Sequence, residues 1–343
     1  MFLIANYSIA IFFCVVTMLC WGSWANTQKL ASKGWHPQLF YWDYVLGILF
    51  IALVFAFTLG STGEQGRSFL ADLAQADAAN LRSALVGGAV FNLANILLVA
   101  AITIAGMSVA FPVGIGIALI LGVVVNYLGR PEGTVGLLFG GVALVAVAIL
   151  LNASAYRRLS EGQGAVVDGH SGVSTKDAST RGLLLSVVAG VLMGFFYKYV
   201  ADSMATNFAT PEVGKLTPYT ALVLFAMGIF FSNFIFNTAL MYRPFSGEPT
   251  SYAAYFQGSG RDHAMGLLGG IVWMVGMSFS ILASGEAGPA ISYGLGQGAT
   301  VVAAVWGIFI WKEFRHAPKG TATLLNLMLA CYVVGLGLII WAR

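Results

Sequence analysis

The chain has 343 residues, 58% of them hydrophobic and only 9% charged, with a mean hydropathy of +0.83 and a formal net charge of +3. A soluble domain carries about 25% charged residues, so this composition excludes a soluble globular protein and places the chain in lipid. The 17 Lys and Arg residues are scattered through short stretches between apolar runs, which excludes a nucleic-acid surface.

Apolar run length and Gly, Pro and charge punctuation predict ten spans. They lie near 6–27, 38–59, 81–104, 107–128, 134–155, 182–204, 217–240, 264–284, 289–311 and 320–341. The first run has no Lys or Arg before it and no small-residue cleavage pattern after it, so it is expected to be a retained helix. Trp35, Trp42, Trp311 and Trp341 fall near predicted helix ends, where interfacial anchoring is expected. Residues 87–128 return at 269–310 after a shift of 182, without a gap. Nine positions are then identical, and five are glycines: Gly87/Gly269, Gly88/Gly270, Gly106/Gly288, Gly114/Gly296 and Gly116/Gly298. Glycine in a membrane helix marks close backbone approach. Both copies read as one helical hairpin, the first broken at Ala105-Gly106.

The polar stretch 157–181 reads as a flexible linker between halves 1–156 and 182–343 of a single transmembrane domain. Five spans per half is odd, so the halves are expected to face opposite ways, as inverted repeats do in secondary transporters. One side holds eleven cations: Lys29, Lys33, Arg157, Arg158, Lys176, Arg181, Arg243, Arg261, Lys312, Arg315 and Lys319. The other holds five: Arg67, Arg82, Arg130, Lys215 and Arg343. The positive-inside rule then puts both termini outside and the linker in the cytoplasm. Gly136 and Gly140 form a GxxxG, which suits either a homodimer face or packing within the bundle.

Cys14, Cys20 and Cys331 lie in apolar runs and are expected to pack as small side chains. His36, His170, His263 and His316 are expected in loops, with no metal spacing. No cofactor or metal is expected. The chain contains no HExxH or GxSxG, and GIGIAL at 114–119 lies inside a span rather than after a strand. An enzyme therefore has no catalytic constellation to rest on.

Polar side chains inside spans each need a reason. Trp21, Trp24 and Gln28 share one face of the first span. Asn92 and Asn95 fall in the third, Asn233 and Asn237 in the seventh, Trp273, Ser278 and Ser280 in the eighth, and Tyr293 and Gln297 in the ninth. Taken singly, each suits an interhelical hydrogen bond. As a set, these amides, indoles and a phenol suit a pocket for a small neutral polar ligand, with Trp21, Trp24, Asn92, Asn95, Trp273, Tyr293 and Gln297 as its candidate lining. Asp43 is six residues after Pro37, about 9 Å into its helix. It is the candidate to bind a coupling proton, or else is paired with Lys29 or Lys33. Glu286, in the turn before the ninth span, is the second candidate. Lys198 is placed to snorkel.

These residues resemble the ureide permeases, members of the drug/metabolite transporter superfamily related to bacterial glucose/ribose and rhamnose porters. The resemblance runs from Gly22 to Ile340. Its marks are Gly22-Ser23-Trp24, Tyr41-Trp42-Asp43-Tyr44, Gly87-Gly88 with Asn95, and Leu216-Thr217-Pro218-Tyr219-Thr220-Ala221. Tyr242-Arg243-Pro244, Gly260-Arg261, Gln297, Trp306-Gly307-Ile308 and Glu313-Phe314 continue the series in order. The resemblance implies a ten-helix fold and proton-coupled uptake of allantoin-like ureides and nucleobases such as uracil. Plant members have a long central loop with a nucleotide-binding-like motif; 157–181 is short and lacks it. Regulation by nucleotide therefore does not carry over, and the short chain resembles bacterial members of an inner membrane. A sugar symporter of the glucose/ribose/rhamnose type stays open, because Asn and Gln bind hydroxyls as well as amides. So does a drug or metabolite exporter, whose pocket would be more apolar. A membrane scaffold would need no central polar stripe.

Overall fold

In a computed structural model, the structure describes residues 1–105, 107–162, 175–245, 247–315 and 317–343. Gly106, His170, His316 and the core of the expected linker lie outside the described residues. Ten helices are long and apolar enough to cross a membrane. They are α1 (Tyr7–Leu30), α2 (Pro37–Phe57), α3 (Ala78–Ala105), α4 (Met107–Gly129), α5 (Val135–Gly162), α6 (Thr175–Ser203), α7 (Pro218–Tyr242), α8 (Gly260–Ala287), α9 (Pro289–Ile310) and α10 (Thr321–Ile340). The protein is a multi-pass membrane protein, all-α among the described residues.

Local chemistry explains most ends. Proline opens α2, α7 and α9 at the first turn, where its missing N–H costs nothing. Gly288, at φ 79°, is the whole connection between α8 and α9, a conformation open chiefly to glycine. Ser259 and Asp262 form a reciprocal capping box, and the helix therefore starts four residues before the expected 264. That corrects the placing of His263: it lies in the first turn of α8, not in a loop. Likewise α5 runs to Gly162 and α6 starts at Thr175, so the linker is shorter than 157–181.

Two spans are interrupted. α1 is helical over Tyr7–Ser23 and Asn26–Leu30, with Thr27 N–H bonding back only three residues to Trp24. The break shifts the helical phase, so Thr27 is buried and Gln28 is exposed, against the shared face expected of Gln28. α9 breaks at Gln297-Gly298, between Pro289–Gly296 and Ala299–Val305, and ends in a π-turn over Trp306–Ile310. Of the four tryptophans expected at interfaces, Trp311 and Trp341 are exposed. Trp42 is buried instead, its indole donating to the Met241 sulfur, because it packs on α7.

Contacts between the first five and last five spans come in counterpart pairs. α3 packs on α6 and α7 as α8 packs on α1 and α2; α4 packs on α6 as α9 packs on α1. Glycines set the distances. A Cβ on Gly88 would sit 2.0 Å from the Phe225 carbonyl oxygen, and one on Gly270 would sit 1.9 Å from that of Tyr44. Gly228 meets the Leu85 oxygen at 2.0 Å and Gly47 the Leu267 oxygen at 2.2 Å in the same sense. Gly141 and Gly335 join α5 to α10, whereas Gly136 of the GxxxG meets nothing within 4 Å.

Substituting Gly88 or Gly270 by Ala is expected to lower the thermal midpoint in detergent, because overpacking against backbone costs about 1–3 kcal/mol or more. Gly136→Ala, with open space around it, is expected to leave the midpoint unchanged or raised. A Gly270→Ala protein as stable as the parent would remove the close contact from the account.

Candidate functional site

Aromatic rings fill the middle of the bundle. Trp273 of α8 lies 4.4 Å from Phe91 of α3 between ring centroids, and these are equivalent positions of the two hairpins. Trp21 stacks on Trp273 at 5.7 Å with an 11° tilt and donates its indole N–H to the Trp273 carbonyl. Phe225 and Tyr44 flank Trp273 at 6.1 and 6.4 Å, and Trp24 covers Tyr44 at 4.7 Å. Trp273 is buried and Tyr44 fully so, and the Tyr44 hydroxyl has no hydrogen-bond partner among the described residues. Phe196 of α6 adds to it, 5.1 Å from Phe91 and 5.9 Å from Phe225, so six helices, α1, α2, α3, α6, α7 and α8, supply this wall.

A polar network lies against the wall through Tyr41, whose ring stacks on Tyr44 at 5.2 Å. The Tyr41 hydroxyl donates to Asn92 Oδ1 at 2.9 Å and accepts from Asn95 Nδ2 at 3.1 Å. Asn92 Nδ2 continues to Ser232 Oγ on α7 at 2.9 Å. The Asn95 carbonyl oxygen accepts no hydrogen bond among the described residues. Tyr41 also lines a cavity of about 330 Å³ between α2, α3 and α7, closed on one side by Phe245, Gly247 and Glu248 of the α7–α8 loop. No Lys or Arg lines it. A second cavity, of about 310 Å³, includes Asn126, Arg130, Asp202, Lys215 and Ser284 in its lining. α8 starts beside α2 near the first cavity and reaches the second at Ser284. The two cavities thus open at opposite ends of the bundle, with the aromatic wall between them.

The structure therefore brings together Trp21, Trp24, Asn92, Asn95 and Trp273 from the expected set. The other two adjoin this set: Tyr293 meets Phe196 at 6.2 Å, itself 5.1 Å from Phe91, and Gln297 follows a glycine packed on Trp21. The Tyr293 hydroxyl is taken up by the carbonyls of Ala118 and Met193, at 3.0 and 3.2 Å. Gln297 is buried at the α9 break, beside Gly296, whose added Cβ would sit 2.9 Å from the Trp21 ring. Its amide makes no hydrogen bond among the described residues. The sequence reading missed Tyr41, which looks like one more apolar aromatic until its neighbours are known. Tyr44 was missed for the same reason.

Asp43 is buried and is held by neither Lys29 nor Lys33, which corrects that expected pairing; Lys29 instead meets Glu313 at 3.0 Å. The Asp43 carboxylate accepts from the Tyr255 hydroxyl at 2.6 Å, and both its oxygens lie 3.0 Å from His263 Nδ1. A second carboxylate, Asp262, is buried in the first turn of α8. Glu286 lies in the last turn of α8 rather than in a turn between helices, 3.8 Å from Arg343. Lys198 pairs with Asp202 at 2.5 Å.

Comparison with known proteins places this geometry. The family model described as ureide permease matches residues 40–163 and 166–342. Ureide permease 1 of Arabidopsis thaliana is 25% identical over 387 aligned residues, covering 99% of this chain and 98% of its own length. Ureide permease 2 of the same plant is 26% identical, covering 97% and 96%. A probable ureide permease A3 of Vigna unguiculata is 25% identical over 88% of this chain. A crystal structure of a protein 14% identical aligns with a TM-score of 0.55 over 98% of this chain and 99% of its own, a likeness of fold.

Tyr41→Phe is expected to leave Asn92 Oδ1 without its donor in a buried place, at a cost of about 1–3 kcal/mol. The thermal midpoint should fall. Tyr293→Phe, which also frees two backbone carbonyls, should fall comparably without altering ligand binding.

Proposed function

The chain belongs to the ureide permease family, and we propose that it is a secondary carrier of ureides such as allantoin, and of related nucleobases such as uracil, driven by protons. The observation that carries this reading is the Tyr41–Asn92–Asn95 network where the larger cavity meets the aromatic wall. A ureide is flat, neutral and edged with N–H donors and C=O acceptors. The open Asn95 oxygen takes an N–H, the second Asn95 amide proton answers a carbonyl, and the half-buried Trp24 offers a ring face. A phosphorylated or carboxylated substrate would call for Lys or Arg in the lining, and the cavity has none.

The halves act as inverted repeats about the aromatic wall. The counterpart glycine contacts support this, since a pair of exchanged interfaces is what lets one arrangement convert into its two-fold-related partner. The eleven-to-five split of Lys and Arg supports termini outside and linker inside, in the cell membrane, here a bacterial inner membrane. The larger cavity then faces the cytoplasm. Asp43 takes the coupling proton; Glu286, at the far end of α8 and paired with Arg343, serves less well.

A thermal-shift screen of the purified protein against ureides, nucleobases, pentoses, hexoses and deoxyhexoses tests the substrate. A ligand at 100 times its Kd adds about 2.7 kcal/mol of stability. A response to sugars alone would sink the ureide reading. Asn95→Ala is expected to weaken ureide binding by about 1–3 kcal/mol, and unchanged affinity in a folded variant would remove Asn95 from the site. For topology, a Cys in place of exposed Lys319 should resist an impermeant maleimide in intact cells, while one in place of exposed Glu64 should label. The reverse pattern would turn the protein over.

A further inference from the structure

The wall that closes one side of the larger cavity is tied to the bundle through titratable groups. Phe245, Gly247 and Glu248 of the α7–α8 loop line the cavity, and a short helix, Tyr252–Phe256, follows in the same loop. Tyr255 of that helix donates to Asp43 of α2 at 2.6 Å, and His263 Nδ1 of α8 lies 3.0 Å from both oxygens of the same carboxylate. We propose that Asp43 and His263 together carry the coupling proton, and that Tyr255 makes the pair a latch holding the α7–α8 loop across the cavity mouth. The proposal rests on reading that cavity as the substrate path.

The geometry supports each part. His263 has 30% of its side chain exposed and Asp43 only 6%, so the imidazole stands between solvent and the carboxylate. Histidine is the side chain that exchanges protons in the physiological range. The other groups facing the pair are committed elsewhere or uncharged. Asp262 accepts from the Ser259 hydroxyl at 2.6 Å and from the Ser32 N–H at 2.7 Å. The rings of Trp35 and Tyr255 stand edge-on to the imidazole at 5.3 and 4.8 Å. Gly266 brings α8 against Asp43, since a Cβ there would lie 2.4 Å from that of Asp43. Among the described residues the loop is also tied by Thr250 N–H to the Met241 carbonyl, by Thr238 to the Tyr252 hydroxyl and by the packing of Tyr252 on Trp42, none of which involves the Asp43–His263 pair.

The step balances within the pair. A proton from solvent makes His263 an imidazolium; its Nδ1–H bond then breaks as an O–H bond forms on Asp43. Both partners end neutral with one proton gained. Tyr255, which donated to a carboxylate, now donates to a neutral carboxyl, a weaker acceptor. The latch loosens, and the mouth opens only with the proton aboard. Loss of the proton restores the carboxylate and recloses the loop.

Spin labels at exposed Thr103 of α3 and Glu248 of the loop, on two sides of the mouth, read the latch without any substrate. Between about pH 8 and about pH 5, the range in which histidine titrates, the parent's separation should lengthen. Asp43→Asn and Tyr255→Phe should show the long separation at both pH values, and His263→Gln should lose the pH response. A parent that does not respond, or a His263→Gln protein that still does, overturns the proposal. In liposomes, Asp43→Asn should keep allantoin exchange and lose accumulation under an imposed pH gradient, and His263→Gln should lose accumulation. Accumulation by His263→Gln at the parent's level also overturns it. If the parent itself fails to exchange any ureide, the substrate reading falls while the label distances still decide the latch.

Discussion

Backbone-on-backbone contact through glycine is the constraint from which the rest of this bundle follows. Lipid tails are as apolar as leucine, so helices in a bilayer gain nothing from hiding hydrophobic side chains. They gain by packing closely. Gly88 and Gly270 bring α3 onto the α7 carbonyls and α8 onto the α2 carbonyls, closer than any side chain would permit. Gly228 and Gly47 return the same contact from the other helix of each pair. Once these four helices are drawn together, the large rings they carry have one place to go. Phe91, Trp273, Phe225 and Tyr44 meet at the centre because they sit three or four residues from those glycines, on faces that look inward.

Equivalent positions then carry different chemistry, and that difference makes a site from a scaffold. Asn92 and Asn95 of α3 correspond under the 182-residue shift to Met274 and Met277 of α8. The amides build a hydrogen-bonded network with Tyr41 and Ser232, whereas the methionines only fill space. Towards the other end, Ser280 and Ser292 join Tyr197 in a second buried polar cluster. Each cluster lies on its own side of the aromatic wall. A solute crossing the bundle would therefore leave one set of hydrogen bonds before the rings and find another after them. Every buried polar group left without a partner in between raises the barrier.

The ten spans were legible because apolar length is a strong signal. The ends of α8 were less so. S-G-R-D at 259–262 is a capping box written in the sequence, and passing over it left His263 in a loop and Asp43 without its partner. The breaks in α1 and α9 were hidden for a different reason. Trp24-Ala25 and Gln297-Gly298 contain no proline, and their turns are set by packing against α8 and α1. Tyr41 and Tyr44 were hidden because a tyrosine in an apolar run looks the same whether its hydroxyl is engaged or orphaned. Only the fold shows one bonded to two asparagines and the other, among the described residues, to nothing.

The glycine contacts and the charged pair belong to one interface. α8 lies on α2 through Gly270 against Tyr44 and, one turn earlier, through Gly266 against Asp43. Asp43 and Tyr44 are neighbours on α2, one pointing to the carboxylate cluster and the other into the aromatic wall. A change in how α8 presses on α2 near Gly266 is therefore felt at Tyr44 within a single helical turn. Tyr44 in turn touches Tyr41, Trp24 and Trp273. The buried carboxylate and the rings that bar the path are coupled by direct contact rather than by distance. Coupling of that kind needs a packed element with two arrangements. In this bundle the candidate is the glycine-lined α2–α8 interface, with the Asp43–His263 pair at one end of it.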